Sequence, residues 1–224
     1  MTIIYKLENN LYVNMTNACP CDCVFCIRNT NDGMNEAESL WLEREPTLEE
    51  IKAAFDEAAK SPDFSQIEEV VFCGFGEPME RADDVIEVAK YIRRHSRISP
   101  LTCVGELTYT SRSHEQLQQE SSKKTRLNTN GLVRLINPSF DMTKLSELDS
   151  VSISLNADDR NEYLRLTRTR FGASAYDEML NFAKDAKKYT NVTLSVVAVI
   201  DPHRIRNCQQ IANTLGIPLR IRYV

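Results

Sequence analysis

Four of the chain's seven cysteines fall within eight residues, CPCDCVFC, from Cys19 to Cys26. Thiolates this crowded are soft ligands that select zinc or iron–sulfur clusters. An odd total suits a disulfide scaffold poorly. Structural zinc favours two separated pairs, whereas Cys73, Cys103 and Cys208 stand singly. Cys19, Cys23 and Cys26 make a CxxxCxxC spacing, and three thiolates leave one iron of a cubane without a protein ligand. Spacing alone also permits Cys21, Cys23 and Cys26. About fifty residues on, GFGEP spans Gly74, Phe75, Gly76, Glu77 and Pro78. A glycine turn brings backbone close to a ligand, and Glu77 offers a carboxylate to an ammonium. In LNTNG, Asn128 and Asn130 are two further polar side chains, although Asn130-Gly131 is also a good turn by itself.

These residues need elements to hold them. NLYVNMT (10–16) alternates as a strand running into the cysteines, and EEVVFCGFGEP (68–78) is a buried strand ending in the glycine turn. TRLNTNGL (125–132), SVSISLN (150–156), NVTLSVVAVI (191–200) and IPLRIRYV (217–224) supply four more strands. Between them lie helical patterns at 47–60, 82–95, about 143–148, 176–189 and 204–215, the first opened by a Thr47/Glu50 capping box. Six strands alternating with these helices predict a parallel sheet with helical crossovers, an open, partial (β/α)6 TIM-like barrel. No repeat or linker divides it, so one domain over 1–224 is expected. Residues 97–124 break the rhythm, being far longer than the usual connection of about 4–6 residues, and read as an irregular, solvated insertion. Active sites of such folds form at the C-terminal strand ends, where the cysteines, CGFGEP, NTNG and SLN all fall.

The 224 residues carry 27 basic and 32 acidic side chains, net charge −5, with 42% hydrophobic residues. This balance gives no electrostatic footprint for nucleic acid. The start, MTIIYKLENN, lacks a signal peptide's apolar run, and no stretch approaches a membrane span. A cytoplasmic protein with reduced thiols is therefore expected, its clustered cysteines being metal ligands before they are disulfides.

With Phe25 before the last cysteine, the CxxxCxxC loop resembles that of the radical S-adenosylmethionine (radical SAM) enzymes. GFGEP resembles the segment that meets the cofactor's methionine amino group. SISLNADDRNEYLRLTR (152–168) is similar to the stretch that places Ser154 and Asn156 on the cofactor and brings Arg168 to its carboxylate; Arg165 and Arg170 are equally placed for that last role. LYVNMTNACPCDCVFC, LWLEREPT, FCGFGEP, LNTNG and SISLNA together look like the radical SAM proteins associated with TatD-type hydrolases. The resemblance implies a [4Fe-4S] cluster on Cys19, Cys23 and Cys26, with Cys21 spare, and S-adenosylmethionine as the second cofactor. Cofactor contacts are expected from Phe25, Gly74, Phe75, Gly76, Glu77, Asn128, Asn130, Ser154, Asn156 and Arg168. It further implies reductive cleavage to a 5′-deoxyadenosyl radical, hydrogen abstraction from a substrate not identified by the motifs, and an electron donor such as flavodoxin or ferredoxin. Two rival readings are an activase that makes a glycyl radical on a partner enzyme and a non-enzymatic metal-binding module.

Overall fold

A computed structural model describes residues 1–29, 39–96 and 123–223. One seven-stranded sheet runs in chain order: β1 (Ile4–Leu7), β2 (Asn10–Val13), β3 (Glu69–Phe72), β4 (Lys124–Thr129), β5 (Ser150–Ser154), β6 (Asn191–Val197) and β7 (Leu219–Arg222). Strands β2 to β7 are all parallel to their neighbours. The six expected strands and their helical crossovers are thus present. The hairpin strand β1, antiparallel to β2, is an addition to the expected pattern. Its turn carries no Asn-Gly signal; Glu8 itself takes the left-handed conformation, φ 53°, which non-glycine residues seldom do.

Helices α1 (Leu48–Ala59), α2 (Ala82–His95), α3 (Val133–Ile136), α4 (Arg160–Thr167), α5 (Ser174–Ala186) and α6 (Pro202–Leu215) follow the strands, with a 3-10 turn at Met142–Glu147. Thr47 and Glu50 form the capping box that starts α1, and Gly216, φ 61°, ends α6. Helices α3 and α4 are too short for their periodicity to stand out in the sequence. The core lies between sheet and helices: Val70, Phe72, Leu127, Val151, Ile153 and Leu194 are buried on the sheet face that meets them. Most of the 97–124 insertion lies outside the described residues. Its two flanks meet, since the Lys123 backbone N–H donates to Ser96 Oγ at 3.0 Å.

Candidate active site

The chain leaves β2 into the cysteine loop, which is fastened along the last turn of α4 and the residues just after it. Asp22 N–H donates to Thr167 O, Val24 N–H to Leu166 O and Arg170 N–H to Pro20 O, each at 2.9 Å. Arg28 braces the loop from inside, donating to Cys21 O at 2.9 Å. All six described cysteines are free thiols. Cys19, Cys23 and Cys26 are half-buried, whereas Cys21 is 5% exposed. The Cys21 thiol hydrogen-bonds with those of Cys19 and Cys23, which drives its own pKa up and lowers that of Cys23.

The glycines after β3 have a reason that the sequence does not show. A Cβ on Gly74 would lie 2.0 Å from Asn14 Oδ1, and one on Gly76 only 2.2 Å from the Thr16 carbonyl oxygen. The strand exit therefore packs directly on the backbone leading to Cys19, and the Glu77 N–H donates to Ala18 O at 2.8 Å. Asn14 is itself clamped by Leu40 O (2.8 Å) and Thr2 O (3.1 Å). The LWLEREPT segment closes over this junction: Asn17 and Leu42 exchange two hydrogen bonds, and Trp41 packs edge-on to Phe75 at 5.2 Å.

Glu77 is 5% exposed, and its carboxylate has three donors. Met79 N–H (3.1 Å) and Thr129 Oγ1–H (2.7 Å) reach Oε1, and Asn130 N–H (2.7 Å) reaches Oε2. It thus caps the turn Pro78–Arg81 and ties β3 to the end of β4. A carboxylate has about four lone-pair sites, so one remains for a further donor. Burial raises its pKa from the usual 4.5 to about 7, against the hydrogen bonds that lower it. A raised native pKa stabilises the protein at low pH, and the effect is lost as pH climbs through that range. Glu77 should therefore cost the apoprotein up to about 3 kcal/mol between acid and neutral pH. Urea unfolding of wild type and Glu77→Gln at several pH values checks this: the variant should gain on wild type as pH rises, and parallel curves would exclude it.

The four cysteines, Phe25, Gly74 to Glu77, Asn128, Asn130, Ser154 and Asn156 all line one cavity of about 330 Å³ at the C-terminal strand ends, within the usual size range for small-molecule sites. Asn128 Oδ1 accepts from Arg126 (3.0 Å), Asn130 Oδ1 from Leu132 N–H (2.9 Å), and Asn130 Nδ2 stands 3.8 Å from the Cys21 sulfur. Asn156 turns the chain with φ 57°, a conformation that asparagine tolerates. Arg168 is the exception. As the C-cap of α4 with φ 47° it swings outward, 60% exposed, to within 3.8 Å of Asp22. Arg165 pairs with Glu162 at 2.6 Å and Arg170 with Glu80 at 3.4 Å. None of the three lines the cavity.

Among the lining residues that were not legible as such are Thr129, Tyr163, Thr167 and Arg222. Tyr163 is 1% exposed, and its hydroxyl has no partner; the buried Asn156 Oδ1 likewise has none. Burial, then the neighbouring Cys21 and Cys23, push the tyrosine pKa well up. A buried polar group left unpaired costs about 1–3 kcal/mol, and a ligand in the cavity would supply the missing partners. Among the described residues no three His, Cys, Asp or Glu side chains converge on a point that one metal ion would occupy. A cubane asks for something else, one thiolate on each of three irons. Three half-buried thiols on a cavity wall, with orphaned polar atoms beside them, fit that group and a polar ligand next to it. Tyr163→Phe should leave the apoprotein as stable or slightly more so, yet weaken S-adenosylmethionine binding to the reconstituted protein about tenfold. Thermal melts and equilibrium dialysis read the two effects separately; loss of apoprotein stability would make the tyrosine purely structural.

Fold and site together define a largely parallel α/β partial barrel with a thiol-lined cavity at the C-terminal ends of its strands. Residues 13–214 match the family described as the Radical SAM superfamily, and the chain belongs to that superfamily. A solved structure described as "Native anSMEcpe with bound AdoMet" matches over 95% of this chain and 50% of that one, with 13% identity and a TM-score of 0.55. The chain thus spans about half the length of that protein, and the likeness is one of fold. None of the curated proteins matches the sequence. No helix among the described residues is long and apolar enough to cross a membrane.

Proposed function

We propose that the protein is a radical SAM enzyme in which Cys19, Cys23 and Cys26 hold a [4Fe-4S] cluster and S-adenosylmethionine occupies the adjoining cavity. The observation that carries this is the convergence of those thiols, the Gly74–Glu77 exit and two unpartnered buried polar atoms on one cavity. When bound, the two cofactors supply one-electron cleavage of the sulfonium and abstraction of hydrogen from a substrate. The protein's part is to bind, orient and exclude water. Its backbone around Gly74 and Gly76 is pinned to the cysteine loop, so thiols and cofactor pocket keep one relative position. Glu77 lines the cavity with one lone-pair site left, an acceptor for the methionine ammonium, while Thr129 and Asn130 hold the carboxylate still. Ser154 and Asn156 offer polar atoms from β5 and its turn. With Arg165, Arg168 and Arg170 engaged outside, the assignment of Arg168 to the cofactor carboxylate finds no support in the geometry.

Electrons would come from a flavodoxin- or ferredoxin-type donor in a reducing compartment, and the motif resemblance adds a TatD-type hydrolase as a candidate partner. Anaerobic reconstitution with iron and sulfide, reduction, and measurement of 5′-deoxyadenosine test the proposal. A fully loaded four-iron protein that forms none would overturn it. One equivalent of zinc and no iron in the protein as isolated would favour the metal-binding module instead.

A further inference from the structure

In closed (β/α) barrels the interior is filled by layers of Val, Ile and Leu. Here β4, β5 and β7 turn a polar face inward, while Tyr12, Val71 and Val197 are the apolar members of that face on the other strands. Asn128, Ser154 and Arg222 line the cysteine cavity. Two residues back on the same strands, hence on the same face, Arg126, Ser152 and Arg220 line a second cavity of about 400 Å³. The intervening residues Leu127 and Ile153 are buried on the helix side, and Ile221 packs half-buried against the same core. These three strands therefore alternate, apolar outward and polar inward, which parallel strands covered on both faces do not. Such a bore is built for polar contents.

Its charges say which. Arg126 is matched by Glu69 at 2.8 Å. Arg222 is the one cationic side chain among those lining the cysteine cavity, and the single carboxylate there, Glu77, forms no ion pair with it, its three protein donors being Met79, Thr129 and Asn130. Neither Arg220 nor Arg222 has an ion-pair partner among the described residues, whereas Arg165, Arg168 and Arg170 around the cysteine loop are all paired. Arg220 is the next residue of that face down the bore, away from the strand ends that carry the cysteines, in a cavity that Glu8, Glu68 and the paired Glu69 also line.

We infer that the bore is the substrate site of the proposed enzyme, and that Arg222, with Arg220 beneath it, receives a carboxylate or phosphate group of a small polar substrate. A guanidinium fork suits either anion. The inference rests on the radical SAM reading for what happens to that substrate, but the anion site itself can be tested without the chemistry. Inorganic phosphate and succinate, titrated calorimetrically into the full-length protein, are the probes, one for each anion class. Wild type should bind at least one of them saturably, with Arg222→Gln and Arg220→Gln each weakening it about tenfold or more. Arg222→Lys should restore part of the affinity, and the surface control Arg44→Gln should change nothing. S-adenosylmethionine affinity of the reconstituted protein should stay within about twofold in all variants. No saturable anion binding by wild type, or binding unchanged in both glutamine variants, would overturn the inference. A loss of S-adenosylmethionine affinity in Arg222→Gln would do so too, because the cation would then serve the cofactor's own carboxylate. Failure of the radical SAM reading shows elsewhere, as wild type that makes no 5′-deoxyadenosine.

Discussion

Serine at position 19, 23 or 26 is expected to abolish both iron loading and 5′-deoxyadenosine formation, while Cys21→Ser keeps a four-iron cluster and cofactor cleavage. The physical reason is the number of ligands. Four thiolates would saturate every iron and leave S-adenosylmethionine no place to coordinate, and two cannot hold a cubane against water. The structure gives Cys21 different surroundings from the other three. It is 5% exposed and packed into the hydrophobic core, its carbonyl is taken by Arg28, and Asn130 Nδ2 stands 3.8 Å from its sulfur. A serine hydroxyl there can meet the same amide, so the expected cost is about 1 kcal/mol in stability rather than loss of the cluster. Iron content and product yield across the four variants decide the matter. An inactive Cys21 variant beside an active Cys19 variant would move the ligand set to Cys21, Cys23 and Cys26.

Gly76→Ala should be nearly as damaging, although it removes no functional group. The added carbon would stand 2.2 Å from the Thr16 carbonyl oxygen and 2.7 Å from that of Ala18. Both are backbone atoms of the run into Cys19, so neither can swing aside. Relief requires parting the exit of β3 from the cysteine loop and breaking the 2.8 Å bond from Glu77 N–H to Ala18 O. Such overpacking costs about 3 kcal/mol, and more where backbone must move. Melting of the apoprotein should fall accordingly, and iron incorporation should drop at least about tenfold at 1.4 kcal/mol per decade. Gly172→Ala is the control. Its Cβ meets nothing within 4 Å, and only its φ of 67° is strained, worth about 1–2 kcal/mol. If the two variants melt alike, the tight junction between β3 and the cysteine loop is wrong.

The sequence by itself determined the alternation of strands and helices, the spacing of the cysteines and the polar residues clustered at successive strand ends. Those features are local: apolar periodicity reports which face of an element is buried, and cap and turn residues report where it stops. The parallel strands β2 to β7 and the capping box on α1 were legible for that reason. Polar, alternating SVSIS and LRIR were equally visible, but not that their polar faces share one bore, because that follows from the register of β5, β6 and β7. Which side chains enter the cavity was a tertiary decision. A left-handed residue at the end of α4 turns Arg168 out to Asp22, while Tyr163, one turn earlier, is carried in beside the cysteines. Only the folded chain shows that Gly74 and Gly76 answer to Asn14 and Thr16, and that Glu77 is gripped by Thr129 and Asn130. Those partners lie some 50 to 60 residues away in the chain, and spacing along a strand carries no record of what a crossover lays against it.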